Sequence, residues 1–113
     1  MRAIPKELLI HTVTFHTVLE KNRWGTQSLD GGTDVERVRM EPSSKIVRDK
    51  NNAEVQLAAV LFYDCRNSRP RGIVFAEDNI VLFNGQRFRV ASVESLYDNR
   101  RLHHYEIGLV KHA

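Results

Sequence analysis

Asn84-Gly85 constrains this chain more than any other pair of residues in it. It lies between two runs rich in β-branched and aromatic side chains, Ile80 to Phe83 and Arg87 to Val93. A two-residue hairpin turn needs positive φ at both centres, which Asn and Gly adopt most readily, so the pair predicts a tight antiparallel hairpin. A third alternating run, Leu102 to Val110, follows it. The end of the chain therefore predicts a meander of the kind found in small barrels and sandwiches. Phe88 and Val90 share one parity and Val93 has the other; a β-bulge near Ala91-Ser92 brings Val93 back inward.

Upstream, the same period recurs. Val13, Phe15 and Leu19 alternate with Thr12, Thr14 and His16, so Leu8 to Glu20 reads as strand, and its threonines disfavour helix. Lys21 to Thr33 is polar and carries Trp24-Gly25 and Asp30-Gly31-Gly32, the marks of a loop or wide hairpin connection. Val35 to Met40 is extended and stops at Glu41-Pro42, because proline cannot donate to a strand ladder. Lys45 to Ala53 is charged and ends in the turn-rich tip Asp49-Lys50-Asn51-Asn52. Glu54 to Cys65 reads as one long strand, apolar on both faces and hence central, although Ala53 to Ala59 also suits a helix by composition. Arg66 to Asn79 reads as a basic loop with a short apolar patch at Ile73 to Phe75.

Six strand candidates without an amphipathic helix predict a mainly β fold. The expected form is a small antiparallel six-stranded β-barrel with long loops and little or no helix, which also removes exposed sheet edges. The 113 residues predict one domain, 1–113, with residues 1–7 as an N-terminal arm. A net charge of +3 is mildly basic. Cys65 is the one cysteine, so no intrachain disulfide forms and a reducing compartment suits the chain. No basic-then-apolar leader follows Met1, and no apolar run approaches the roughly 20 residues of a membrane helix. A soluble intracellular domain is expected.

The residues spell no catalytic constellation. His103 and His104 are neighbours on a strand and should point to opposite faces, while His104 and Glu106 alone do not make a zinc site, so no metal is expected. Cys65 has the parity of Leu57, Leu61 and Tyr63, which predicts a small buried hydrophobe, with Asp64 capping the loop that follows. Gly31-Gly32 lacks the Lys-Ser/Thr and helix of a phosphate loop. No enzyme and no cofactor are expected. Two basic clusters are candidates for phosphate contact: Lys45, Arg48 and Lys50, and Arg66, Arg69 and Arg71. Solvated loops are the plain alternative, since Asp49 and Glu41 offset the first cluster and no aromatics accompany the charges in register. Trp24 suits an interface anchor, or a side chain folded back onto the barrel.

The chain resembles tailed-phage minor capsid proteins of the group found in siphophages and prophages of Gram-positive bacteria. The resemblance runs in order through Ile4-Pro5-Lys6-Glu7-Leu8-Leu9-Ile10, Val38-Arg39 and Ser43-Ser44. It continues through Val60-Leu61-Phe62-Tyr63-Asp64-Cys65 and Ser68-Arg69-Pro70. Ile80, Gly85-Gln86-Arg87-Phe88, Val90, Val93 and Leu102-His103-His104-Tyr105-Glu106 close it. Phe62-Tyr63-Asp64-Cys65 together with Leu102 to Glu106 is the most specific part.

That group is similar to head-completion or head–tail connector proteins, in particular the stopper class. The resemblance implies a β-barrel subunit of a ring beneath the portal and adaptor, which closes the DNA channel after packaging and joins head to tail. Its implied partners are the portal–adaptor complex, tail-completion proteins and further copies of itself, with a monomer expected in isolation and non-specific contact with packaged DNA. Its implied places are the host cytoplasm during assembly and then the head–tail interface of the virion. By order of elements, the loop entering the channel would be Glu41 to Ala53, carrying Lys45, Arg48 and Lys50. Trp24, Arg66, Arg69 and Arg71 would lie on partner-facing loops. The alternative, from a different class, is a stand-alone OB- or SH3-like module that binds nucleic acid or peptide.

Overall fold

In the computed structural model, which describes residues 3–21 and 27–112, every regular element but one turn is a strand. In chain order they are β1 (His11–His16), β2 (Val18–Lys21), β3 (Gln27–Leu29), β4 (Thr33–Pro42) and β5 (Ile46–Arg48). There follow β6 (Glu54–Gln56), β7 (Ala59–Asp64), β8 (Ile80–Phe83), β9 (Gln86–Tyr97) and β10 (Leu102–Lys111). Six of them close a barrel in the order β1-β4-β7-β10-β9-β8, with β8 returning to β1, and all neighbours antiparallel. The other four form two ribbons, β2-β3 and β5-β6. The expected six-stranded barrel is the fold observed.

The hairpin turn has the expected chemistry: φ is 50° at Asn84 and 75° at Gly85. The expected bulge is also there, since Gly108 pairs with Ser92 and Leu109 with Val90, leaving Ala91 as the extra residue. Inward side chains from every barrel strand fill the interior. Val35, Val38, Leu61, Val90, Ile107 and Leu109 have no exposure at all, and each such side chain stabilises by about 1.5–3 kcal/mol.

Three expectations need correction. Leu8 to Glu20 is not one strand: its start belongs to a 3-10 turn at Lys6–Leu8, and it breaks at Thr17. There the Thr17 hydroxyl donates to Asp30 Oδ2 at 2.6 Å, and the chain leaves the barrel for the first ribbon. Glu54 to Cys65 also divides, at Leu57 and Ala58, and holds no helix. The Leu57 amide still donates to Lys45 in the second ribbon (2.9 Å), whereas that of Ala58 donates to Leu109 in the barrel (2.8 Å). A change of partner sheet ends a strand as surely as a proline, but leaves no mark on alternation. Finally, Cys65 is half-buried just past the end of β7, and it is Asp64 that is fully buried.

The register fixes which loops share an end of the barrel. The β1-to-β4 connection, the β7-to-β8 connection and the β9-to-β10 turn lie at one end; the β4-to-β7 connection and Asn84-Gly85 lie at the other. Because β7 pairs with β10 and not with β8, the β7-to-β8 connection must cross the barrel mouth. It carries the apolar patch noted in the sequence, and Phe75 from that patch plugs the mouth. Its ring lies 5.0 Å from Phe15, 5.2 Å from Tyr63 and 5.8 Å from Tyr105, centre to centre, edge to face.

Candidate functional site

The end of β7 is organised by one buried carboxylate. Asp64 Oδ2 accepts the amides of Arg66 (3.1 Å) and Asn67 (2.8 Å), and Oδ1 accepts that of Ile4 (3.1 Å). The Asn67 side-chain amide returns a hydrogen bond to the Ile4 carbonyl at 2.8 Å, so the N-terminal arm is held at both faces of one residue. Ser68 Oγ accepts the Asp64 amide at 2.9 Å and donates to the Arg37 carbonyl, at a β4 bulge where Arg37 has φ 56°. Glu36 and Arg69 exchange backbone hydrogen bonds beside it. Phe62-Tyr63-Asp64-Cys65 and Ser68-Arg69-Pro70 are therefore one structural device, which sets the position of Arg66.

Beside Arg66 stands the turn between β9 and β10. Asp98 Oδ1 accepts the amides of Arg100 (2.8 Å) and Arg101 (3.0 Å). Those bonds, that of Arg100 foremost, hold the Asp98 carboxyl below its ordinary range, so it stays ionised and turned toward backbone. Arg66, Asp98, Asn99, Arg100 and Arg101 line a cleft of about 580 Å³. Every lining residue among those described is charged or polar, and their formal excess is two positive charges. Among the described residues, none of the three guanidinium groups makes an ion pair.

The other cluster behaves differently. Lys45 Nζ pairs with Glu94 Oε1 at 3.3 Å, and Arg48 with Glu54 Oε1 at 3.3 Å. Lys50 Nζ pairs with Asp78, which also meets Arg89 at 3.2 Å. The Lys50 bond lowers the Asp78 carboxyl and raises the Lys50 ammonium, each as the largest cause of its partner's shift. Together with buried Leu57, the Lys45 and Lys50 pairs lay the β5-β6 ribbon against the outer wall of the barrel, while the Arg48 pair joins its two strands. A Cβ on Gly108 would stand 3.0 Å from the Leu57 methyls and 2.4 Å from Ser92 Oγ. Arg69 turns its guanidinium to the carbonyls of Arg66 and Ser68, and Arg71 is exposed past the cis Arg69-Pro70 peptide. Trp24 lies outside the described residues.

The histidine pair departs from expectation. His103 and His104 do not point apart: their Nδ1 atoms are 2.7 Å from each other, because His103 is the extra residue of a second bulge in β10. One ring must donate and the other accept. His104 Nε2 lies 3.0 Å from Glu106 Oε2, so the pair continues into a chain of polar contacts along the strand. Among the described residues no three His, Cys, Asp or Glu side chains cluster to hold a metal. Burial, then the Asp64 charge, pushes the Cys65 thiol up, the reverse of what a thiolate nucleophile needs.

Sequence reasoning missed Arg100 and Arg101. The signal was present, as two adjacent arginines after Asp98-Asn99, but basic residues were grouped by nearness along the chain. Only the pairing of β7 with β10 brings the β9-to-β10 turn beside Arg66.

A family model described as minor capsid protein matches residues 5–109, nearly the whole chain. The chain belongs to the phage minor capsid protein family. No curated protein matches it. This minor capsid protein is thus a structural component of a phage virion. No helix among the described residues is long and apolar enough to cross a membrane.

Proposed function

We propose that this minor capsid protein is a head-completion subunit, a stopper-like member of the ring that closes the DNA channel and joins head to tail. The observation that carries the reading is a family match over residues 5–109 on a closed barrel whose β4-to-β7 connection bears a two-stranded ribbon. A ring subunit needs a wall that does not deform and excursions that can differ between neighbours, and barrel and ribbons divide those tasks. Cyclic assembly brings two different surfaces of one subunit together, which suits a chain whose two ends carry unlike loops. The ribbon would face the channel, and the loops at the Arg66 end would face partners.

The test is to mix the purified protein with the portal–adaptor complex of the same phage and to examine the product by electron microscopy. A new ring stacked under the connector is expected. A well-folded protein that leaves the connector unchanged would refute the assignment and favour a tail-side partner or a free-standing binding module.

A further inference from the structure

We propose that the cleft formed by Arg66, Arg100 and Arg101 grips the phosphate backbone of duplex DNA without reading its sequence. A guanidinium offers a fork of donors matched to phosphate oxygens, and here three such forks line one cleft with no contact ion pair among the described residues, Arg101 acting on Asp98 only from a distance. The nearest acid, Asp98, spends one carboxylate oxygen on two backbone amides. The ribbon cations are in the opposite position. Lys45, Arg48 and Lys50 each hold a carboxylate already, so a phosphate there must first displace a partner.

The lining also selects the class of partner. Protein interfaces are centred on apolar and aromatic anchors, whereas DNA interfaces are polar, positively charged and wet. Among the described residues the lining has no apolar or aromatic side chain, which favours a hydrated backbone over an acidic protein segment. Nor do the described lining residues offer a stacking platform on which single-stranded bases would gain. The inference rests on this geometry alone, and it gives the Arg66 end, which the connector reading turns toward partners, a DNA contact as well.

Fluorescence anisotropy of a short labelled duplex, titrated with the full chain at about 50 mM salt, tests it. Wild-type protein is expected to bind, with affinity falling steeply as salt rises. Removing three phosphate contacts (R66A/R100A/R101A) should weaken binding at least about tenfold and cut the log–log salt slope by about 2.7. K45A/R48A/K50A should stay within about threefold of wild type, and R66K/R100K/R101K should keep most of the salt slope. Circular dichroism of each variant checks that it folds. Equal losses from the two alanine triples, no effect of the cleft triple, or capture of polyglutamate in preference to duplex would overturn the proposal. Failure to form a ring alongside intact, cleft-dependent DNA binding would overturn the connector reading and leave this one standing.

Discussion

Replacing Asp64 by asparagine changes one atom and should cost this protein a substantial share of its stability. The side chain is fully buried and accepts three backbone amides, those of Ile4, Arg66 and Asn67. A hydrogen bond to a charged group contributes about 1.5–3 kcal/mol, and a buried donor left without an acceptor costs about 1–3 kcal/mol. Asparagine keeps one acceptor oxygen. Placed at the Oδ2 position it still serves Arg66 and Asn67, more weakly without the charge, but it then turns an NH2 group toward the Ile4 amide. The expected loss is about 3 kcal/mol, and about 4–5 kcal/mol for Asp64→Ala, against a total of roughly 5–15 kcal/mol for a domain of this kind. Urea unfolding measures both. Hydrogen exchange adds the local signature: the Ile4 amide should lose protection in Asp64→Asn while amides in the middle of β9 and β10 keep theirs. A loss under about 0.5 kcal/mol, or an Ile4 amide still protected, would refute the account of Asp64 as the residue that ties the arm to the barrel.

Two other outcomes follow from the fold. Phe75→Ala should destabilise by about 3–5 kcal/mol in urea unfolding, because no neighbouring strand can refill the barrel mouth; a cost below about 1 kcal/mol would show that the ring does not plug it. The Asp78 carboxyl is held below its ordinary value of 3.8, so the stability it contributes is present above that pH and is lost as pH falls through its own lower value. Lys50 is raised above 10.5, so its contribution is present below that pH and is lost as pH rises through the raised value. Melting temperature should therefore fall at both extremes. Asp78→Asn should flatten both limbs, and an unchanged pH profile in that variant would sink the pairing.

The barrel was legible because burial on one side of each strand writes a period of two into the sequence. Each of the six strand candidates maps onto one barrel strand, and the parity slip at Val93 located the bulge at Ala91. One strand of each ribbon was read, as part of a longer strand, but its partner was not: Gln27–Leu29 fell within an expected connection, and Ile46–Arg48 is mostly exposed, with no buried face to pattern it. The break at Leu57 and Ala58 was hidden because alternation records which way a side chain points, not which sheet receives the amide. The candidate site was half visible. Arg66 stood out as part of a basic loop, and Asp64 as its cap, but the arginines that complete the cleft arrive from the other side of a pairing that only the fold decides. The histidine bulge was invisible for a related reason: an extra residue in the middle of His103-His104 looks, in one dimension, like two ordinary strand neighbours.

The seam between β1 and β8 has a consequence in time. His16 pairs with Ile80, 64 residues further along. A ribosome adding roughly 5–20 residues each second takes about 3–13 s to cover that distance. Through that interval β1 can find β4 on one side but has nothing on the other, and the inner faces of Val13 and Phe15 stay open. The C-terminal meander needs no such wait, because β8, β9 and β10 are joined by tight turns and meet as soon as they emerge. Each new chain thus passes several seconds as an open sheet, and the last strands synthesised are the ones that end its exposure.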